Sequence, residues 1–310
     1  MPPAVPSSGL NAALRPVPAW VPGSAPVAVV MISLNESHNM EQVCLNLRGW
    51  AQEVFLVDSY SRDDTVGIAL RHGVRVVQRG FRGFGDQWSF ALRNLPITAP
   101  WTMKLDPDER LTDELKRGIE RLIAGNHADG IEVCNRLWFM GRPLPKSQTL
   151  RQLRLWRTGT CHFSGVLVNE YPVISGRSVL SAGELEHHDS PNLEHWMHKQ
   201  NRYTSDEAII RFDGRELAAA PRLMGSALER RIWLKHNFRR LPLCYVLFFL
   251  YLYLVQGAWR GGRTGLIWAR LRTEVMRMVE YKEIEMRLRG RLVRCTLSGP
   301  GDPDPRVPQL

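Results

Sequence analysis

The chain alternates between apolar runs and stretches with helical spacing. Residues 27–36, "VAVVMISLNE", are β-branched and uninterrupted, as a strand buried on both faces should be. A helical stretch follows in "NMEQVCLNLRGW". A second apolar run, "EVFLVDSYSRDDT", then ends in Asp58. Ser61 and Asp64 have the spacing of a capping box for a helix over 64–72, and "VRVVQR" reads as a third strand. "GDQWSFALRNL" reads as a helix and "WTMKLDPDE" as a fourth strand. Strands that alternate with helices predict right-handed crossovers and a parallel sheet.

Beyond residue 130 the pattern changes. "GIEVCNRLWFMGRPL" and "RQLRLWRTG" alternate as antiparallel strands do, and "FSGVLVNEYPVISG" reads as a hairpin carrying Glu170. "PNLEHWMHKQNRYTSDEAIIRF" returns to helical spacing, and helices are expected to continue to about residue 294. The Pro-rich and Ser-rich residues 1–25 and the Pro/Gly tail 296–310 are expected to be disordered arms, the first lacking the apolar stretch of a signal peptide.

In open sheets of this kind ligands lie beyond the carboxyl ends of the strands. Asn35, Glu36, Asp58 and the pair Asp106/Asp108 all fall at such ends. Two carboxylates one residue apart at the end of an extended segment can both reach one hard cation, Mg²⁺ or Mn²⁺, which shares its remaining positions with phosphates. The competing reading of "DPDERLTDELKRGIERLI" is a solvated turn opening an acidic-ended helix. Polar clusters at three separate strand ends favour the ligand site.

Charge separates the two halves of the chain. Residues 211–294 carry 18 Lys and Arg against 7 Asp and Glu, so the chain's net charge of +10 resides there. Within that basic stretch, residues 241–259, "LPLCYVLFFLYLYLVQGAW", hold no charge and are rich in Tyr and Trp. That combination predicts an anionic membrane surface as partner and excludes nucleic acid as the main one. Arginines on both sides favour a segment lying in one leaflet's interface over one that crosses. Five scattered cysteines, Cys44, Cys134, Cys161, Cys244 and Cys295, without a Cys-x-x-Cys pair, speak against a disulfide framework or a structural zinc site.

The pieces "ISLNE", "VDSYSRDDT", "GFGDQWSFAL", "LDPDE", "VNE" and "HHDSPNLEHWMHKQNRY", in this order, resemble the family 2 glycosyltransferases of the GT-A fold, in particular bacterial enzymes of lipopolysaccharide-core and exopolysaccharide synthesis. The resemblance implies a Rossmann-like mixed sheet over residues 26–210, followed over 211–295 by a basic helical region that associates with the membrane. It implies that Ser33, Asn35, Glu36, Asp58, Gln87 and Asp106 line a nucleotide-sugar pocket, with Asp58 accepting from a uracil N–H. Asp106 and Asp108 then bind the divalent metal, His187 or His188 completes the metal or diphosphate site, with His188 taken as the metal ligand, and Glu170 is the candidate catalytic base of an inverting transfer. His187, Gln200, Arg202 and Tyr203 meet phosphate or acceptor. The implied partners are a nucleotide-sugar donor, a UDP-sugar first, and a lipid-linked saccharide acceptor at the cytoplasmic face of the bacterial inner membrane. Tyr60 where glycine is usual, Trp88-Ser89 in place of Lys-Asn, and Pro107 between the carboxylates depart from the family pattern. An aspartyl phosphatase would need Gly-Thr after its first-strand aspartate, and a nucleotidyltransferase a Gly-rich basic loop. The chain has neither, which leaves a non-catalytic membrane adaptor on a transferase fold as the rival class.

Overall fold

A computed structural model of the chain describes residues 18–126, 128–145, 150–163, 171–212 and 242–290, together with Met224 and Asn237. Glu170, most of both terminal arms, and nearly all of the basic stretch between 213 and 241 lie outside the described residues.

Strand β1 (Ala25–Ser33) is the spine of the sheet. It pairs in parallel with β2 (Ala51–Asp58) on one side and β4 (Trp101–Lys104) on the other, and β3 (Arg75–Gln78) extends beyond β2. Its residues are apolar without interruption because both faces are covered. Val27, Val29 and Met31 join Met40, Val43 and Leu47 of α1 (Ser37–Leu47) in one core. Ala28 and Val30 join Trp88 and Ala91 of α3 (Phe84–Asn94) in another. Helix α2 (Thr65–Arg71) completes the parallel half.

The expected change of pattern is present. After β5 (Glu109–Leu111) and α4 (Asp113–Gly125), the long β6 (Gly130–Phe139) carries the short β7 (Arg142–Pro143), and β8 (Leu150–Arg157) lies antiparallel between β4 and β6. The short β9 (Cys161–Phe163) and β10 (Pro172–Ile174) pair antiparallel, residues 164–170 of the hairpin expected over 163–176 lie outside the described residues, and β11 (Ser178–His187) returns to the main sheet beside β6. The order is β3-β2-β1-β4-β8-β6-β11-β5, so the sheet is mixed rather than parallel throughout.

Three local expectations are corrected. "ERL" following the Asp pair is a strand and not the first turn of a helix; α4 starts later, with Thr112 as N-cap accepting from Leu115 N. The capping box at Ser61 and Asp64 does not form, because Ser61 is drawn to Asp58 instead, and Asp64 makes no side-chain cap. The N-terminal arm ends before residue 25: Trp20 donates from its indole N–H to Ala51 O at 3.0 Å and packs against the core, and β1 begins at Ala25.

The C-terminal helices build a second layer. Helix α5 (Leu193–Phe212) packs on α7 (Gly262–Arg289), where Ala208, Val279 and Met286 are buried together. Between them in sequence lie α6 (Cys244–Leu250), a π-turn over Tyr251–Val255 and a 3₁₀ turn over Ala258–Gly261. The apolar stretch is thus broken, with Gly257 in the left-handed region, and no helix among the described residues is long and apolar enough to cross a membrane. A Cβ on Gly265 would lie 1.8 Å from Ala258 O, so only glycine lets α7 begin against that turn.

Candidate functional site

The carboxyl ends of β1 and β2 are joined by a buried polar knot. Asp58 is fully buried and accepts from Ser33 Oγ (2.9 Å), Ser61 N (2.8 Å), Ser61 Oγ and Gln78 Nε2 (2.9 Å). Ser61 Oγ in turn accepts from Asn35 N at 2.8 Å, and Asn35 Oδ1 accepts from Arg62 N at 2.8 Å. Asn35 and Tyr60 are held at φ 56° and 63°, a conformation that costs a β-carbon residue roughly 1–2 kcal/mol and that asparagine tolerates better than tyrosine. Gln87 is also fully buried, bonded to Arg79 and Ser59. Ser33, Asp58 and Gln87 all bond to protein, and the bonds of Ser33, Asp58 and Ser61 tie down the turn that carries Asn35 and Glu36.

The Asp pair is held by a second buried group. Glu109 is 1% exposed and accepts from Arg154 Nη2, from Asn135 Nδ2 at 2.9 Å and from Asp106 N at 3.0 Å. Arg154, itself buried, also reaches Asp106 Oδ2 at 3.4 Å. Charged groups this deep persist only when paired, so the Arg154–Glu109 pair sets the loop that carries both aspartates.

The two aspartates face different partners. Asp106 meets Arg154. Asp108, 7% exposed, meets His187 Nε2 at 3.1 Å and Lys199 Nζ at 3.6 Å. Asp189 Oδ1 lies 2.8 Å from the same ammonium and 3.8 Å from His187 Nε2. Ligand atoms of Asp108, His187 and Asp189 all lie within 4.8 Å of one another. Among the described residues these three, without Asp106 or His188, form the group that could hold a metal ion.

Strand geometry separates the two neighbouring histidines expected at the site. Neighbouring residues at the end of β11 point to opposite sides. His187 is turned to Asp108, while His188 stacks on Trp138 with ring centroids 4.8 Å apart and pairs with Glu186 at 3.2 Å. Of the polar residues expected on α5, Gln200 is buried and accepts from Arg272 Nη1 at 3.3 Å, and Arg202 lies over the Tyr203 ring. The residue of α5 that enters the cluster is Lys199.

Electrostatics follow from this packing. Burial opposes ionisation of Asp108, yet His187, Lys199 and Arg110 hold its carboxyl well below the usual range. Burial likewise opposes a charge on His187, but Asp108, Glu109 and Asp189 push it up to about 9. Lys199 is shifted upward by Asp108 and Asp189 against the effect of burial. Glu36 is pushed up to about 7 by burial first and by Asp108 second. One feature of Asp108 fits a cation: Oδ1 is buried and has no hydrogen-bond partner, an uncommon state for a carboxylate oxygen. Two carboxylates and an imidazole are a suitable donor set for a divalent ion, provided the imidazole gives up its proton.

A parallel sheet half continued by antiparallel strands, with acidic groups at its strand ends, is a sheet of the GT-A type. Residues 28–170 match the family model described as Glycosyl transferase family 2, so the chain carries a domain of that family. The chain is 27% identical over 252 residues, 78% of its length and 86% of the relative's, to the lipopolysaccharide core biosynthesis glycosyltransferase LpsC of Rhizobium meliloti. It is also 27% identical over 196 residues to an uncharacterized glycosyltransferase of Rickettsia typhi, covering 59% of this chain and 66%, about two thirds, of that relative. Among solved structures, S. aureus TarS 1–349 in complex with UDP-GlcNAc aligns over 86% of this chain and 93% of its own, with a TM-score of 0.37 and 15% identity. Glucosyl-3-phosphoglycerate synthase from Mycobacterium tuberculosis, in complex with Mn²⁺, UDP and phosphoglyceric acid, aligns over 37% of this chain and 43% of its own, with a TM-score of 0.29 and 23% identity.

Proposed function

We propose that the protein is an inverting glycosyltransferase that moves a sugar from a nucleotide-diphosphate sugar, UDP-linked in the first instance, to a lipid-linked saccharide of the bacterial envelope. The observation that carries this reading is the unpartnered, buried Oδ1 of Asp108 set beside His187 and Asp189 at the strand ends of a family 2 domain. Asp108, His187 and Asp189 would hold a divalent ion, Mn²⁺ or Mg²⁺, and that ion supplies charge neutralisation to the departing diphosphate. Asp106, steadied by Arg154, faces the donor beside it. In the transfer the acceptor oxygen attacks the anomeric carbon, the bond from that carbon to the diphosphate oxygen breaks in line, and the acceptor proton passes to a carboxylate. Glu170 is the proposed base.

The acceptor class draws on the resemblance to LpsC and on the exposed face of residues 243–259. Leu247, Leu254, Val255 and Trp259 are at least half exposed, while Leu252, Phe248, Phe249 and Tyr253 pack inward against Phe139, Trp196 and Trp268. An apolar ridge of this length beside Arg260 and Arg263 suits the interface of an anionic bilayer. Trp196 lies on α5 only three residues from Lys199, so the ridge and the carboxylate cluster share one supporting helix. The proposed location is the cytoplasmic face of the inner membrane, where nucleotide sugars are made.

A screen of nucleotide sugars by UDP release, with bacterial lipid extract as acceptor, tests the reading. Release that depends on both acceptor and divalent metal is the expected result. Silence with every donor, in a protein that still binds lipid vesicles, would favour the adaptor instead.

A further inference from the structure

Lys199 is the unexpected cation of the site. Its side chain is 17% exposed and its ammonium lies 2.8 Å from Asp189 Oδ1, 3.2 Å from Asp189 O and 3.6 Å from Asp108 Oδ2. Those two carboxylates are also the oxygen donors of the proposed metal cluster. Of the arginines nearby among the described residues, Arg110 donates to the backbone oxygens of Pro107, Glu109 and Asn39, and Arg154 is committed to Glu109 and Asp106.

Charge counting then has a direct consequence. With His187 neutral, as metal binding requires, two carboxylates and one ammonium leave a single net negative charge. A divalent ion on the same carboxylates, bound through a neutral His187, turns that into a single net positive charge in a largely buried place. A diphosphate arriving with the ion reverses the sign again. We propose that Lys199 makes metal loading conditional on the donor: its ammonium opposes a bare divalent ion at Asp108 and Asp189 and favours the same ion when a nucleoside diphosphate accompanies it. Lys199 is thus a positioning residue that sets binding order, and the inference rests on the metal and donor reading given above. A like charge about 4–5 Å from an ion is worth roughly a factor of ten in affinity, or more, even when strongly screened.

The test is a Mn²⁺ titration followed by electron paramagnetic resonance of the free ion, with and without UDP, on the wild type and on Lys199→Met and Lys199→Arg, all checked for folding by circular dichroism. Lys199→Met is expected to bind Mn²⁺ alone about tenfold more tightly and to bind UDP at saturating Mn²⁺ about tenfold more weakly. Lys199→Arg, which keeps the charge, is expected to stay close to wild type in both. These opposite signs are what a merely structural lysine would not produce. Loss of Mn²⁺ affinity in Lys199→Met, unchanged constants, tighter Mn²⁺ with unaltered UDP binding, or failure of that variant to fold would each overturn the proposal. A wild type that binds neither Mn²⁺ nor UDP would instead overturn the donor reading beneath it.

Discussion

His187 Nε2 stands 3.1 Å from Asp108 Oδ2 because β11 pairs antiparallel with β5, which sets His187 opposite Glu109. The backbone completes the join, His188 N donating to Asp108 O at 2.7 Å. Two motifs nearly 80 residues apart in sequence become one site through three paired residues on a three-residue strand.

This contact separates the adjacent histidines. His187→Ala is expected to weaken Mn²⁺ binding by an order of magnitude or more, as loss of one of three protein ligands should. His188→Ala removes only the stack on Trp138 and the pairing with Glu186, and Mn²⁺ affinity should stay within about twofold. Isothermal titration of both variants decides the matter, and equal losses would contradict the assignment.

The same pair gives the metal-stripped protein a pH signature. Folding raises the proton affinity of His187 to about 9, so its pairing with Asp108 stabilises the chain fully below the ordinary histidine pKa of about 6.5 and is lost as pH rises through about 9. After allowance for partial exposure the contribution is on the order of 2 kcal/mol. In EDTA, the stability gap between wild type and His187→Asn should narrow from pH 6 to pH 10. A gap that widens over that interval would reverse the sign of the account.

Arg154 and Glu109 stand or fall together. Removing one partner leaves a buried charge uncompensated, so Arg154→Met should cost roughly 3–5 kcal/mol in urea unfolding. The double variant Arg154→Met/Glu109→Leu should recover much of that loss. Additive costs in the two single variants and the double variant would show that the two do not interact.

Much of this was legible in the chain. The uninterrupted apolar run of β1 announced a strand covered on both faces, and the alternation after residue 130 announced the antiparallel half. The Asp pair, the strand-end Asn35 and Glu36, and one histidine of "HHD" were all visible as chemistry. What hydropathy hid was which residues face inward on α5. Trp196, Gln200, Thr204 and Ala208 form its buried stripe at four-residue spacing, and two of the four are polar, so the helix shows little amphipathic signal and Lys199 passed unnoticed. His187 and His188 were indistinguishable because the choice depends on the register of β11 against β5, a long-range pairing no local pattern encodes. The bonding of Asp58 to Ser33, Ser61 and Gln78 was hidden for the same reason, since it needs three strand ends to meet.

The apolar ridge can be tested without touching the core. Leu247→Asp/Leu254→Asp alters two exposed side chains, so thermal stability should change by less than about 1 kcal/mol while binding to phosphatidylglycerol vesicles falls at least tenfold. Undiminished sedimentation with such vesicles would remove the ridge from the membrane reading.

The central claim is that Asp108 holds the ion through which a nucleoside diphosphate is recognised. Calorimetric titration of UDP into wild type and Asp108→Asn, in Mn²⁺ and in EDTA, tests it most directly. The account predicts binding by the wild type in Mn²⁺, lost in EDTA and lost in Asp108→Asn under either condition, with the variant's circular dichroism unchanged. Equal UDP affinity in EDTA, or in a folded Asp108→Asn, would contradict it.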